Sequence, residues 1–141
     1  LNKALEKEPK IVSTYFKHTD KILDIKVKTL DDYLKMGREL INRGAENAIL
    51  PFHCDRLLFS QDEVYCLSPL DFCLKNWLGA GDAYNAGIFD YIYQYGFEFV
   101  EANRHGAAAA LAIAEKNSLF LDGHSQIEKN KDRLIVKQLE G

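Results

Sequence analysis

The chain has 141 residues, 47% hydrophobic and 28% charged, with a formal charge of −3, the profile of one globular domain able to bury a core. Its 18 basic residues are spread among 21 acidic ones without a basic run, and no apolar stretch reaches the length of a membrane span, so neither nucleic acid nor membrane is expected as a partner. Cys54, Cys66 and Cys73 match neither a disulfide framework nor a zinc motif, and His18, His53, His105 and His124 are too scattered to predict a metal site; reduced thiols and the cytoplasm are the expectation.

Residues 1–9 read as the end of a helix broken by Pro9, and 11–16 as a β-branched and aromatic strand. The spacing predicts the clearest helix over 29–43: Leu30, Leu34, Gly37, Leu40 and Ile41 share a face, Thr29 can cap with Asp32, and Gly44 closes the end. A short buried strand follows at 48–51, and this helix–glycine–strand order argues for a parallel sheet. Residues 57–60 and 64–67 predict a β-hairpin around Gln61-Asp62-Glu63, with a turn at 68–71. Two helices are predicted at 80–95, ended by Gly96, and at 97–116. Ala83, Ala86 and Gly87 should keep one face of the first small against the sheet, while Phe89, Ile92 and Tyr93 fill other contacts. An irregular stretch at 118–123, a short helix at 125–131 and a final strand at 134–136 complete the order.

Before these helices stands Leu78-Gly79-Ala80-Gly81-Asp82-Ala83, a pair of glycines around an alanine, then an acid, then a long run free of breakers. It describes a tight loop opening into a helix. Glycines let the backbone approach a ligand closely, and the first helical turn presents N–H groups at the positive end of the dipole, so the turn makes an anion site. An acid placed there is favoured as its carboxylate and can accept a hydrogen bond from an approaching hydroxyl. The alternative is that Asp82 caps the helix and the glycines only permit the turn. A dinucleotide fingerprint is excluded because its third glycine would fall at Tyr84, and a Walker A loop because no Gly-Lys-Ser/Thr follows.

Gly79-Ala80-Gly81-Asp82-Ala83, with Asn85-Ala86-Gly87 behind it, resembles the Gly-Ala-Gly-Asp signature of the PfkB (ribokinase-like) carbohydrate kinases. Asn76 before it resembles the branch that includes 1-phosphofructokinase and tagatose-6-phosphate kinase. The resemblance implies an α/β, ribokinase-like three-layer fold with a mainly parallel sheet and a C-terminal β-hairpin. Residues 1–141 would be the C-terminal part of the kinase domain, and the N-terminal half, with most sugar contacts, would be absent. It further implies phosphoryl transfer from ATP, with Mg2+, to a hydroxyl of a sugar or sugar phosphate. Asp82 would be the base, and the amides of Gly79, Ala80 and Gly81 the anion hole. His53 and Arg56 fall in the loop near the nucleotide, and Gly106 and Ala107 on the helix beside its base. The partner would be a small-molecule sugar or sugar phosphate, with a homodimer as the assembly to test.

Three stretches differ from the family pattern. Residues 12–17 offer Thr14 and Lys17 where the family has an asparagine and a glutamate, 51–56 lacks the two glycines of the nucleotide loop, and Trp77-Leu78 replaces the residues usual before the signature. They support the alternative of a catalytically impaired member that binds sugar phosphate or nucleotide, or has a structural role.

Overall fold

A computed structural model of the chain describes residues 2–14, 26–72, 75, 78–116 and 123–141. Its elements run α1 (Asn2–Leu5), β1 (Val12–Ser13), α2 (Leu30–Asn42), β2 (Ala48–Phe52), β3 (Asp55–Phe59), β4 (Val64–Pro69), α3 (Ala80–Tyr95), α4 (Phe99–Ala114), α5 (His124–Lys131) and β5 (Leu134–Glu140). They fall into two compact units, Leu1–Ser68 with Lys137–Gly141, and Pro69–Val136. Tyr15, Phe16, Lys17, Cys73, Asn76, Trp77 and most of the stretch read as irregular lie outside the described residues.

In the first unit, α2 begins where its sequence dictates. Thr29 is extended, its hydroxyl oxygen accepts from the Asp32 N–H, and the Asp32 carboxylate accepts from the Thr29 N–H at 2.9 Å, a complete capping box. The helix buries Met36, Gly37, Leu40 and Ile41. Gly44, at φ +113, turns the chain beyond its end toward the sheet.

The strands form one sheet in the order β1-β2-β3-β4-β5. β1 pairs parallel to β2, with Val12 opposite Ala48, whereas β2–β3 and β3–β4 are antiparallel. The sheet is therefore mixed, and the parallel part of the expected sheet is the β1–β2 ladder. Connection length decides this. Ser60–Glu63 joins β3 to β4 as the predicted hairpin, with the Ser60 N–H on the Glu63 carbonyl at 3.0 Å. Only His53 and Cys54 stand between β2 and β3, far too few for a parallel crossover. The stretch read as a nucleotide loop at 51–56 is thus a tight hairpin.

Leu40, Leu50, Leu57, Phe59 and Val64 are fully buried in one core with Leu5, Met36 and Ala48, and Leu139 of β5 packs against it. That contact, with the pair from Arg38 to the Glu140 carboxylate at 2.8 Å, accounts for β5 running past the predicted end at 136.

In the second unit, α3 and α4 approach through glycines. A Cβ on Gly87 would stand 2.9 Å from the Gly106 Cα, and one on Gly106 only 2.5 Å from the Tyr84 carbonyl oxygen. The buried residues of α3 are Ala80, Tyr84, Gly87, Ile88 and Tyr91. This corrects the expected face: Phe89 and Tyr93 are 70% and 92% exposed, because the close glycine contact selects which side of an apolar helix is covered. The Asn130 amide of α5 donates to the Ala108 carbonyl at 3.0 Å, and Arg133 reaches Glu115 at 2.7 Å and Asp71 at 2.8 Å. Among the described residues no helix is long and apolar enough to cross a membrane.

Candidate active site

Gly79 is the N-cap of α3 and lies in the left-handed region at φ +81 and ψ −11, so the chain turns into the helix there with no side-chain hydrogen bond over its end. The Ala83 N–H returns to the Gly79 carbonyl at 2.8 Å. The amides before it, on Ala80, Gly81 and Asp82, come too early in the helix to have an intrahelical acceptor. They stand at the positive end of the dipole, and both Gly81 and Asp82 are exposed. Asp82 is the acid of this first turn but not its cap, since Gly79 holds that position. The four residues Gly79, Ala80, Gly81 and Asp82 thus form one open helix end.

Gly81 is the informative residue. Its backbone is not left-handed, and a Cβ built on it would meet no atom of the described residues within 4 Å. Among the described residues neither the turn nor the packing requires glycine there, which leaves that side of the backbone open to them.

The turn is anchored from below. Tyr84 donates its hydroxyl proton to Asn103 Oδ1, and Asn103, fully buried, donates from Nδ2 to the Phe99 carbonyl at 2.6 Å. Sequence reasoning missed Asn103. Its signal was a lone amide on the alanine-rich side of a helix, where burial demands hydrogen-bond partners.

The remaining candidates separate. Gly106 is buried against Tyr84 and Ile88, so its missing side chain serves the α3–α4 contact; Ala107, next to it, is half-buried. His53 and Arg56 belong to the other compact unit. His53 takes φ +53 in the β2–β3 turn, its ring edge-on to Phe52 with centroids 4.6 Å apart, and the half-buried Arg56 donates to the Asp55 carbonyl at 2.9 Å. Away from the open helix end, His105 and His124, far apart in sequence, meet beside Asp90.

No family model and no curated protein matches the sequence. Solved structures do. A Thermotoga maritima protein described as a possible 1-phosphofructokinase is 24% identical, with a TM-score of 0.85 over 94% of this chain and 42% of that one. Phosphofructokinase-2 from Escherichia coli, solved with potassium, is 19% identical, with a TM-score of 0.80 over 93% of this chain and 43% of that one. The same enzyme with fructose-6-phosphate is 20% identical, with a TM-score of 0.76 over 93% and 42%. The chain therefore spans well under half the length of these structures, and over that length it has the ribokinase-like α/β fold of the PfkB-type sugar kinases.

Proposed function

We propose that this chain is the C-terminal part of an ATP-dependent kinase that phosphorylates a hydroxyl of a sugar or sugar phosphate. The observation that carries the reading is the open N-terminus of α3, with a glycine at position 81 that the fold does not require and Asp82 exposed beside it. A hexose phosphate is the substrate class favoured by the likeness to phosphofructokinase-2, which was solved with fructose-6-phosphate.

ATP would supply the γ-phosphoryl group, and magnesium bound with it would offset part of the phosphate charge. The donors present suit the phosphates: the amides of Gly79, Ala80 and Gly81, at the positive end of α3, would meet the negative charge of the group in flight. Asp82 accepts the proton of the acceptor hydroxyl as its oxygen attacks phosphorus. The bond from the γ-phosphorus to the bridging oxygen breaks, and ADP leaves with that electron pair. A general base at this position contributes roughly 10²- to 10⁴-fold to the rate.

A second reading, a member that binds without transferring, is favoured by the β2–β3 hairpin, where His53 and Arg56 stand in place of the two glycines of the family's nucleotide loop. Calorimetric titration of Mg-ATP into the full-length protein carrying this chain, wild type against Asp82→Asn, separates the two. Kinase function requires that both forms bind nucleotide and that transfer to a hexose phosphate fall by about 10²-fold or more in Asp82→Asn. Binding by both forms with no transfer by wild type would establish the second reading. Absence of nucleotide binding in both would overturn the two together.

A further inference from the structure

Asp90 of α3, His105 of α4 and His124 at the start of α5 each present one ligand atom, all within 4.8 Å of one another. His105 Nε2 lies 3.2 Å from Asp90 Oδ2, and His124 Nδ1 lies 3.8 Å from the same oxygen. Ligands on a tetrahedral ion with bonds of about 2.0–2.1 Å stand roughly 3.4 Å apart, between these two separations.

Hydrogen bonding among the described residues leaves these atoms unexplained. The His105 side chain is 3% exposed, yet among the described residues neither ring nitrogen has a hydrogen-bond partner, and the same holds for Asp90 Oδ2. Buried polar atoms are ordinarily satisfied. Burial, and then Lys131, shifts the His105 imidazole below its ordinary value. Neutral imidazole is a metal ligand.

The surroundings orient the set. Gln94 donates to Asp90 Oδ1 at 2.8 Å, which leaves Oδ2 facing the histidines. Glu128 Oε1 lies 3.8 Å from His105 Nδ1, on the far side of the ring, the place of the outer carboxylate that commonly supports a metal-bound imidazole. Beside them lies a pocket of about 280 Å³ with Asp90 and His124 in its wall and a lining of small apolar residues, among them Ala86, Gly87 and Ala109.

We propose that Asp90, His105 and His124 bind a divalent transition-metal ion of the zinc class, whose fourth position opens on this pocket and takes water or a small anion. A carboxylate and two imidazoles suit such an ion rather than magnesium or calcium, which prefer oxygen donors. One negative ligand leaves the bound ion with net positive charge, hence the anion. The ion would tie α5 to the α3–α4 pair, independently of the kinase reading.

Cobalt(II) is the probe, because its visible absorption reports tetrahedral coordination. Chelator-stripped protein is titrated with Co2+ and then with competing Zn2+, comparing wild type with His124→Ala and Asp90→Asn. His124 is 70% exposed at its side chain and Asp90 lies at a pocket wall, so circular dichroism should show both variants folded. The expected result is one Co2+ per wild-type chain with a tetrahedral spectrum, displacement by Zn2+, and affinity more than about tenfold weaker in each variant, at least the loss that removal of an outer partner causes. No uptake by wild type, or equal uptake by all three proteins, would overturn the proposal.

Discussion

A methyl group added at Gly79 or at Gly81 has different consequences, and the difference separates folding from chemistry. At Gly79 it would force an L side chain into φ +81, a strain of about 1–2 kcal/mol. At Gly81 the methyl meets no atom of the described residues within 4 Å and the backbone is ordinary, so Gly81→Ala should leave stability unchanged or raise it by up to about 1 kcal/mol through helix propensity. If the amides at 79–81 cradle a phosphoryl group, the same methyl enters the space where that group sits. Gly81→Ala should then bring phosphoryl transfer down by about tenfold or more while the denaturation midpoint holds, measured by ADP release and urea unfolding on one preparation. Undiminished transfer would remove the anion hole from this turn. The turn and the start of α3 were legible in sequence because paired glycines before a run free of breakers signal locally. Asn103, which fixes the turn from α4 through Tyr84, was not, because its partner is brought to it only by helix packing.

Elements read from the sequence held where their signals were local and shifted where packing decides. Thr29, Asp32 and Gly44 placed the start and end of α2, and Gly96 placed the end of α3. The extent of β5, the β2–β3 hairpin and the buried face of α3 were misread, since each depends on a partner distant in sequence: Leu139 on the core, strand against strand, and Gly87 on Gly106. The cap of α2 gives a signed pH effect. Backbone N–H of Thr29 first, then that of Lys28 and the Thr29 hydroxyl, hold the Asp32 carboxyl below its ordinary value of 3.8. A folded value below the unfolded one means stability fully present above pH 3.8 and lost as pH falls below it toward the folded value. Wild type should exceed Asp32→Asn in thermal stability near neutrality, and the gap should narrow in that acid window; a constant gap would show that the carboxylate charge is not what the cap uses. The α3–α4 contact supplies the other test at this scale. Gly106→Ala sets a Cβ 2.5 Å from the Tyr84 carbonyl oxygen, a backbone atom that cannot swing aside, so the variant should lose about 1–3 kcal/mol in urea denaturation. A neutral result would return Gly106 to the candidates for ligand contact.

Across the described residues, packing is divided between two compact units built differently. The second unit packs helices through glycine and alanine, whereas the first closes large side chains over a mixed sheet, with Phe59 at 0% exposure among Leu40, Leu50 and Leu57. Space for that ring is made by Gly37 of α2, where a Cβ would fall 2.2 Å from the ring carbon Cζ. Phe59→Ala removes the largest fully buried side chain among the described residues and leaves a cavity that backbone and neighbours fill only in part, a loss of about 3–5 kcal/mol. Against a typical total of roughly 5–15 kcal/mol, that is enough to bring the first unit near its unfolding threshold. Every residue clustered with Phe59 lies in that unit, so hydrogen exchange in Phe59→Ala should rise first in β2 and β3, with the amides of α3 and α4 remaining protected. An equal rise in both sets of amides would mean that the chain opens as one cooperative block, and that the division into two cores describes packing without describing stability.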